Sequence, residues 1–295
     1  MRAVLGFVAV SSQLALGVGC SAAVVDPASI DSGAEALSVV EVRAHQTVGP
    51  MGNTIDRLDA SARFLTVGKD AREAALDLLG LGWAAPPSGT CVAPQAVAPS
   101  TSARVDLRDL SPVTLSVLSN TGVAADPSQT TFSLEPRAFP DVAGLVSGVV
   151  FVAPQTTPVP SFPRIDGVSF AVGGRALTGF ELPELPSKVR LVGALPTTIA
   201  GVEAYSVEAG GFDLVVGTPS ATDPIVVEVV RSGVVHARCG FDAAGKLRID
   251  AVSAGGVGEL GLVLRAQRRV VRDDAVLGQV DARLERVVEI RVVAR

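Results

Sequence analysis

Strand-length apolar runs separated by short turns constrain the fold of this chain more than any other feature. Near the C-terminus, IVVEVV (225–230), VVHARCGF (234–241) and KLRIDAV (246–252) follow one another closely. Gly233 and Gly245 lie in the connections, where tight turns need left-handed backbone. A further hairpin is predicted over 260–294, from LGLVLRAQRRVV through DDAVLGQ to VDARLERVVEIRVVA. Strands spaced about ten residues apart predict an antiparallel sandwich or barrel.

The composition favours strands as well. The chain is 48% hydrophobic and carries 19 prolines; β-branched residues suit a pleated surface, and proline interrupts helices. Two uncharged stretches, 78–103 and 142–163, contain several prolines each. Neither is compatible with a regular transmembrane helix, because lipid cannot replace the lost backbone hydrogen bonds. We predict a mainly β fold, an antiparallel β-sandwich or two packed sandwiches.

The N-terminal half contains fewer clear elements. SVVEVRAH (38–45) alternates between apolar and polar residues and predicts a half-buried strand, and a second strand is expected over 57–67. DAREAALDLLG predicts one short helix near 70–79, since Asp70 and Glu73 have capping-box spacing and Gly80 provides a stop.

Residues 1–19 resemble a secretory signal peptide. Arg2 supplies the charged start, and an apolar stretch, a polar break and LALGVG follow in the order that export signals show. The run is too short to span a bilayer as a stable helix. The alternative is a buried N-terminal strand. We expect an exported protein.

Cys20 ends the apolar run and is a candidate lipidation site. GVGC resembles the lipobox of bacterial lipoproteins, although its leucine, Leu16, lies one position early. Acyl chains on this cysteine would anchor the protein by burying methylenes in the bilayer. The alternative is cleavage by ordinary signal peptidase after Ser21-Ala22-Ala23. Residues 20–35 are small and polar and suit a flexible tether.

Two other cysteines, Cys91 and Cys239, complete the set of three. Removing Cys20 leaves an even number, which in an exported chain makes these two a candidate disulfide. The alternative is two separate buried thiols, because spacing alone does not fix connectivity.

The remaining chain, 36–295, is predicted to be a β-rich domain. Its Pro-rich stretch either separates two domains or loops within one, which puts any internal boundary near 154–165. GTCVAP, FPDVAGLVSGVVF and HARCGFDAAGKLRI resemble segments of cell-envelope lipoproteins of myxobacteria and related bacteria. That resemblance implies a surface-anchored β-sandwich with no assigned reaction.

Motifs for cofactor or metal chemistry are weak. GVGELG (256–261) fits the glycine pattern of dinucleotide sites, but a strand-like segment follows it, so a Gly-rich surface loop is expected. His236 and Cys239 point to opposite faces of a strand, which argues against a shared metal. No cofactor and no metal are predicted.

Acid pairs are equally weak signals of catalysis. Asp106 with Asp109, and Asp273 with Asp274, read as turn chemistry. His45 is the only other histidine, which leaves few candidates for a general base.

The C-terminal arginines raise the question of an anionic partner. Arg265 and Arg269 should face away from Arg268 and Arg272 on a strand, so no dense patch forms. We expect solvated or edge-protecting charges; the alternative is an anion-binding surface. No nucleic-acid partner is predicted.

The sequence therefore predicts a non-enzymatic, lipid-anchored protein of the cell envelope, structural, adhesive or accessory in its binding role. It is expected at the outer membrane, otherwise in the periplasm or outside the cell. Its partners would be the membrane, through the N-terminal anchor, and an envelope or extracellular protein of unknown identity. The alternative is a secreted or anchored hydrolase whose site combines residues distant in sequence.

Overall fold

The computed structural model describes only part of the chain. The described residues are 34–49, 52–68, 71–82, 85–94, 105–119, 128–139, 146–153, 165, 167–177, 179–184, 189–217, 223–241 and 245–295. The predicted signal peptide, Cys20 and most of the tether lie outside them, as do residues 154–164 of the predicted boundary region. Residues Ala34–Arg295 form one compact unit.

Strands dominate this unit, which confirms the prediction of a mainly β fold. No helix in the described ranges is long and apolar enough to cross a membrane. The first half of the unit contains β1 (Ala34–Gly49), β2 (Gly52–Gly68), α1 (Arg72–Leu78), β3 (Cys91–Val92), β4 (Val105–Leu107), β5 (Val113–Ser119), β6 (Ser128–Ala138), β7 (Val146–Val152), β8 (Gly167–Val172), β9 (Arg175–Ala176) and β10 (Phe180–Glu181). The second half contains β11 (Val189–Leu191), β12 (Leu195–Ile199), β13 (Val202–Val207), β14 (Gly211–Val216), β15 (Ile225–Arg231), β16 (Val234–Gly240), β17 (Lys246–Asp250), α2 (Ala251–Ala254), β18 (Gly258–Asp274) and β19 (Gly278–Ala294).

A central sheet runs in the order β2, β1, β19, β18, β15, β16. The predicted hairpin over 260–294 is present as β18 and β19, which pair along their whole length. The expected antiparallel pairing predominates, but β4 pairs in parallel with β7, and β13 with β19. At the centre of the sheet, β1 also pairs in parallel with β19. Nearly the whole described chain connects these two strands, and a parallel pair requires just such a long crossover.

The first apolar core lies on one face of this sheet. Continuing from β2, the sheet turns through β7 and β6 so that β5, β6 and β8 pack over β1, β2 and β19. β6 makes the turn, pairing with β5 along its first part and with β7 near its end. Phe64 and Phe151 meet edge-to-face in this core, with ring centroids 5.7 Å apart. The two layers form the first sandwich.

A second core lies on the same face, farther along β18 and β19. A separate sheet in the order β11, β14, β17 packs over β15, β16 and β18. The predicted turn at Gly233 joins β15 to β16 in a two-residue hairpin, with positive φ at both Ser232 and Gly233. The segment 246–252, however, is not a third strand of that hairpin. The strand in this segment, β17, ends at Asp250. It pairs with β14 in the separate sheet, because its apolar side chains cover the second core.

The opposite face carries the helix. α1 packs with β1, β2 and β4 around a third apolar cluster. Its N-cap is Ala71, with no side-chain capping bond; Asp70 of the predicted capping box lies outside the described residues. Its end is as predicted: Gly80 has φ +68°, and the amides of Gly80 and Leu81 bond to the carbonyls of Asp77 and Leu76. This Schellman geometry requires glycine at the left-handed position.

Gly278 gives a testable consequence of the β18–β19 hairpin. Its φ is +69°, and a Cβ there would lie 2.1 Å from the carbonyl oxygen of Ala36. At Gly233 the φ is similar, +78°, but a Cβ would meet nothing within 4 Å. Gly233→Ala should therefore cost only the backbone term of about 1–2 kcal/mol, whereas Gly278→Ala should cost clearly more. Urea unfolding of both variants measures the difference, and equal losses would contradict this geometry.

Candidate functional site

The face of the central sheet opposite the two sandwich cores is strongly charged. The side chains involved alternate with core residues along each strand, so they share one face. Arginines and glutamates alternate across neighbouring strands in what we call the Arg/Glu ladder. The ladder consists of Arg63 on β2, Glu41 and Arg43 on β1, Glu285 on β19, Arg265 on β18, Glu228 on β15 and Arg238 on β16.

Glu285 is the most buried carboxylate of the ladder, with only 7% of its side chain exposed. It accepts hydrogen bonds from Arg265 Nη1 at 3.1 Å and from Gln267 Nε2 at 2.8 Å. Arg43 Nε lies 2.9 Å from the same carboxylate. Arg265 also reaches Glu228, 2.9 Å away. The arginines therefore neutralise buried acids instead of forming an open anion-binding surface.

Glu41, on β1, pairs with Arg63 and Arg43 at one end of the Arg/Glu ladder. Burial by itself would raise the pKa of this carboxyl group, but Arg63, Arg43 and the Ser61 hydroxyl outweigh burial, and the pKa is lowered. Glu41 is therefore ionised at neutral pH. The contacts of Glu41 with Arg63 and Arg43 are therefore ion pairs and not neutral hydrogen bonds.

Beneath α1 the charged face becomes fully buried around Asp281. Its carboxylate accepts bonds from Arg269 Nε at 2.9 Å, Arg269 Nη2 at 2.8 Å and Arg283 Nη2 at 3.0 Å. Arg283 also donates to the Leu81 carbonyl at the end of the helix. Burial opposes ionisation of Asp281, but the two guanidinium groups outweigh it and lower the pKa. This cluster links the helix to β18 and β19.

The alternative hydrolase hypothesis depends on the histidines. His45 Nε2 lies 2.9 Å from Asp59 Oδ2, and Arg57 donates to the same carboxylate. The hydrogen bond from His45 is the main reason that the pKa of Asp59 is lowered. The neighbouring hydroxyl, Ser61, donates to Glu41 at 3.2 Å. An acid and a histidine are thus paired, but the hydroxyl on the same strand is directed elsewhere.

The second histidine is far from the first in the sheet. His236 lies on β16, separated from β1 by β15, β18 and β19. It is exposed, whereas Cys239 on the same strand is buried. No group of three or more His, Cys, Asp or Glu side chains in the described ranges could hold a metal ion.

Cys239 is bonded to Cys91, with the sulfur atoms 2.06 Å apart. The two cysteines face each other across the β16–β3 pair, so the bond attaches β3 to the edge of the central sheet. It joins positions separated by 148 residues. The candidate lipidation site, Cys20, lies outside the described residues.

The glycine motif at 256–261 is structural. The short helix α2 precedes it, where the sequence suggested a strand, and β18 follows it. Arg231 donates to the carbonyls of Ala254, Gly256 and Val257 and holds the loop against β15. The expected Gly-rich loop is therefore present, and the helix that would face a pyrophosphate is replaced by a strand.

The expectation of solvated or edge-protecting charges is wrong for Arg265, Arg268 and Arg269, whose side chains are partly buried and paired with acids. Arg272 is exposed, as expected. These arginines do alternate between the two faces of β18, but this strand lies between β15 and β19 and is not an edge. Arg268 makes a two-pronged pair with Asp223, at 2.8 and 2.6 Å, on the core side between the two sandwiches. Arg272 stacks 5.3 Å from the Phe180 ring. The acids that pair with Arg268 and Arg269 become visible only once the strands are assembled.

The acid pairs behave mainly as turn residues. Asp109 Oδ1 accepts from the Ser111 amide and hydroxyl, and Asp274 Oδ1 accepts from the amides of Val276 and Leu277. Asp106 is exposed on β4. Asp273 makes no such turn bond to any residue that the structure describes, and it lines a cleft together with Asp274.

That cleft has a volume of about 400 Å³ and lies at the end of the charged face, beside the N-terminal end of α1. We call it the helix-end cleft. Its polar lining consists of Glu35, Arg72, Asp273, Asp274 and Gln279. Sequence reasoning missed the helix-end cleft, the ladder and the role of Arg72. The sequence feature that could have indicated them is charge at every second position, as in Asp281, Arg283 and Glu285. This alternation indicates a polar strand face, but it does not show which residues pair with that face.

Comparison with known proteins adds little. No family model matches the chain, and no curated protein matches it. Among solved structures, it is similar to the yeast delta-COP-I mu-homology domain, alone and in complex with a Dsl1 WxWxV peptide. Both are 10% identical, with TM-scores of 0.21 and 0.20, and 90% and 88% of this chain and 98% of each of those chains are covered. TM-scores this low carry no argument about function.

Proposed function

We propose that this protein is a non-enzymatic, lipid-anchored binding module of the cell envelope, held at the outer membrane through Cys20. The allocation of cysteines carries the proposal. Of the three cysteines, Cys91 and Cys239 are bonded to each other, which leaves Cys20 at the end of the N-terminal apolar run. A cysteine at that place has a ready role as an acyl acceptor.

The disulfide also supports the compartment. Disulfides persist in the periplasm and at cell surfaces and are rare where thiols are kept reduced. This bond joins distant segments and includes the buried Cys239. Such a bond suits a chain that folds after export.

The charged face supports a binding role over catalysis. Its histidine is held by Asp59, its nearby hydroxyl by Glu41, and its arginines by buried acids. Charges committed to fixed pairs give a rigid surface. A hydrolase would need the hydroxyl or a water positioned against the histidine.

The test is the intact mass of the mature N-terminal peptide from the membrane fraction of the native host. We expect a peptide that begins at a diacylated or triacylated Cys20, and we expect the Cys20→Ser variant to be lost from membranes. Ser12→Ala, which changes the preceding segment and keeps the cysteine, should stay membrane-bound. An unmodified peptide that starts after Ala23, with soluble protein, would overturn the anchor.

A further inference from the structure

The helix-end cleft is where the charged face stops being neutralised internally. Its floor is formed by neighbouring residues on three adjacent strands. Leu37 on β1 pairs with Gln279 on β19, and Gln279 pairs with Asp273 on β18. Arg72, the first residue of α1, closes one side. A volume of about 400 Å³ is within the range of small-molecule sites.

Arg72 of the helix-end cleft forms no ion pair within the described ranges, in contrast to the arginines of the Arg/Glu ladder. Arg72 Nε and Gln279 Oε1 are buried atoms without a hydrogen-bond partner among the described residues. Within the same part of the chain, neither Glu35 nor Asp273 forms an ion pair. Asp274, the remaining acid, is occupied by the turn amides and by Arg175.

Unpaired buried polar atoms are costly, so the cleft favours a ligand that completes them. Arg72 can pair with an anionic acceptor, and a carboxylate matches a guanidinium group through two parallel hydrogen bonds. Gln279 Oε1 can accept from a donor, and the carboxylates of Glu35 and Asp273, which are exposed at the mouth of the cleft, can accept from cationic donors. The unpaired side chains carry one positive and two negative charges, so a ligand with one carboxylate and two ammonium groups balances them.

We infer that the helix-end cleft binds a small zwitterion of the basic amino-acid class, with its carboxylate on Arg72 and its ammonium groups on Glu35 and Asp273. This inference rests on the proposed binding role and is independent of the lipid anchor. A metal ion is a poorer occupant because no metal-binding group of three ligand side chains is found in the described ranges. The proposal names the ligand chemistry and the side of the molecule that receives it.

Calorimetric titration of the purified protein, in the form its host produces, tests the inference. L-lysine is the probe, and cadaverine, which has both amines but no carboxylate, is its matched comparison. We expect saturable lysine binding and weaker cadaverine binding. Arg72→Gln should weaken lysine binding at least about tenfold, because a charged hydrogen bond to the carboxylate is lost. It should not weaken cadaverine binding, because cadaverine has no carboxylate and its ammonium groups are repelled by Arg72. Asp273→Asn should weaken both.

The controls exclude a general loss of structure. Arg190→Gln removes an exposed arginine on β11, outside the cleft, and should leave lysine binding unchanged. Each variant must retain the urea midpoint of the parent within error. The inference is overturned if lysine gives no saturable heat, or if Arg72→Gln leaves lysine binding unaltered. An unmodified Cys20 would overturn the anchor alone, and absent lysine binding would overturn the ligand alone.

Discussion

Asp281→Ala should lower the free energy of unfolding by about 3–5 kcal/mol, the usual cost of leaving a buried charge without its partner. Asp281 is completely buried, and Arg283 is 2% exposed. Without the carboxylate, Arg283 keeps a bond to the Leu81 carbonyl but loses its ion pair with Asp281. Urea unfolding followed by circular dichroism measures the loss.

Glu135→Ala is the matched control. It removes an acid from an ion pair with Arg137 in which both side chains are more than half exposed. Exposed pairs contribute about 0–1 kcal/mol, so this variant should remain close to the parent. A second change, Arg283→Met in the Asp281→Ala background, should recover part of the lost stability because it removes the buried charge that Asp281 had balanced. Equal losses for the Asp281 and Glu135 variants would contradict the buried cluster.

The pH dependence of stability provides an independent check on the same residue. The pKa of Asp281 is lower in the folded protein than in the unfolded chain. Its contribution is therefore complete above the unfolded value of about 4 and is lost as the pH falls through the folded value. The parent protein should lose stability on acidification below about pH 4, and Asp281→Ala should lose less over the same interval.

Reduction of the Cys91–Cys239 bond should cost roughly 4–5 kcal/mol in the chain-entropy model, because the bond closes a separation of 148 residues. The experiment compares urea unfolding with and without reductant, after the loss of the cross-linked peptide has been verified by mass spectrometry. No residue is substituted in this comparison, so the difference in unfolding free energy measures the contribution of the bond itself.

The double variant Cys91→Ala/Cys239→Ala separates this effect from other actions of the reductant, since its stability should not respond to reduction. Peptide mapping before reduction should show the two cysteine peptides linked. Alkylation of free Cys91 and Cys239 in the untreated protein would contradict the pairing. An unchanged unfolding free energy after complete reduction would show that the closed loop does not contribute.

Local sequence patterns predicted the elements well where short-range forces decide them. The alternation in 38–45, the hairpin over 260–294 and the helix stop at Gly80 all appear in the structure. Each depends on side-chain period or on the backbone freedom of glycine, which residues close in sequence determine. The helix begins at Arg72 after an N-cap of Ala71, and Asp70 of the predicted capping box lies outside the described residues.

Partners distant in sequence could not be predicted in the same way. β1 lies beside β19, β17 leaves β16 to cover the second core, and Arg268 reaches Asp223. Alternation tells which side chains share a face but not which strand comes next to it. The helix-end cleft belongs to this group, since Glu35, Arg72 and Asp273 come from three separate elements.

The sequence by itself thus determined strand content, turn positions, the two polar-and-apolar strand faces and the N-terminal cysteine pattern, because each follows from local periodicity and chemistry. Only the tertiary structure decided the parallel β1–β19 contact, the shared sheet beneath two sandwiches, the ion pairs of the charged face and the unpaired charges of the helix-end cleft. These features depend on which surfaces bury their apolar area against each other and on which charges become neighbours. Both bring together residues that are far apart in the sequence.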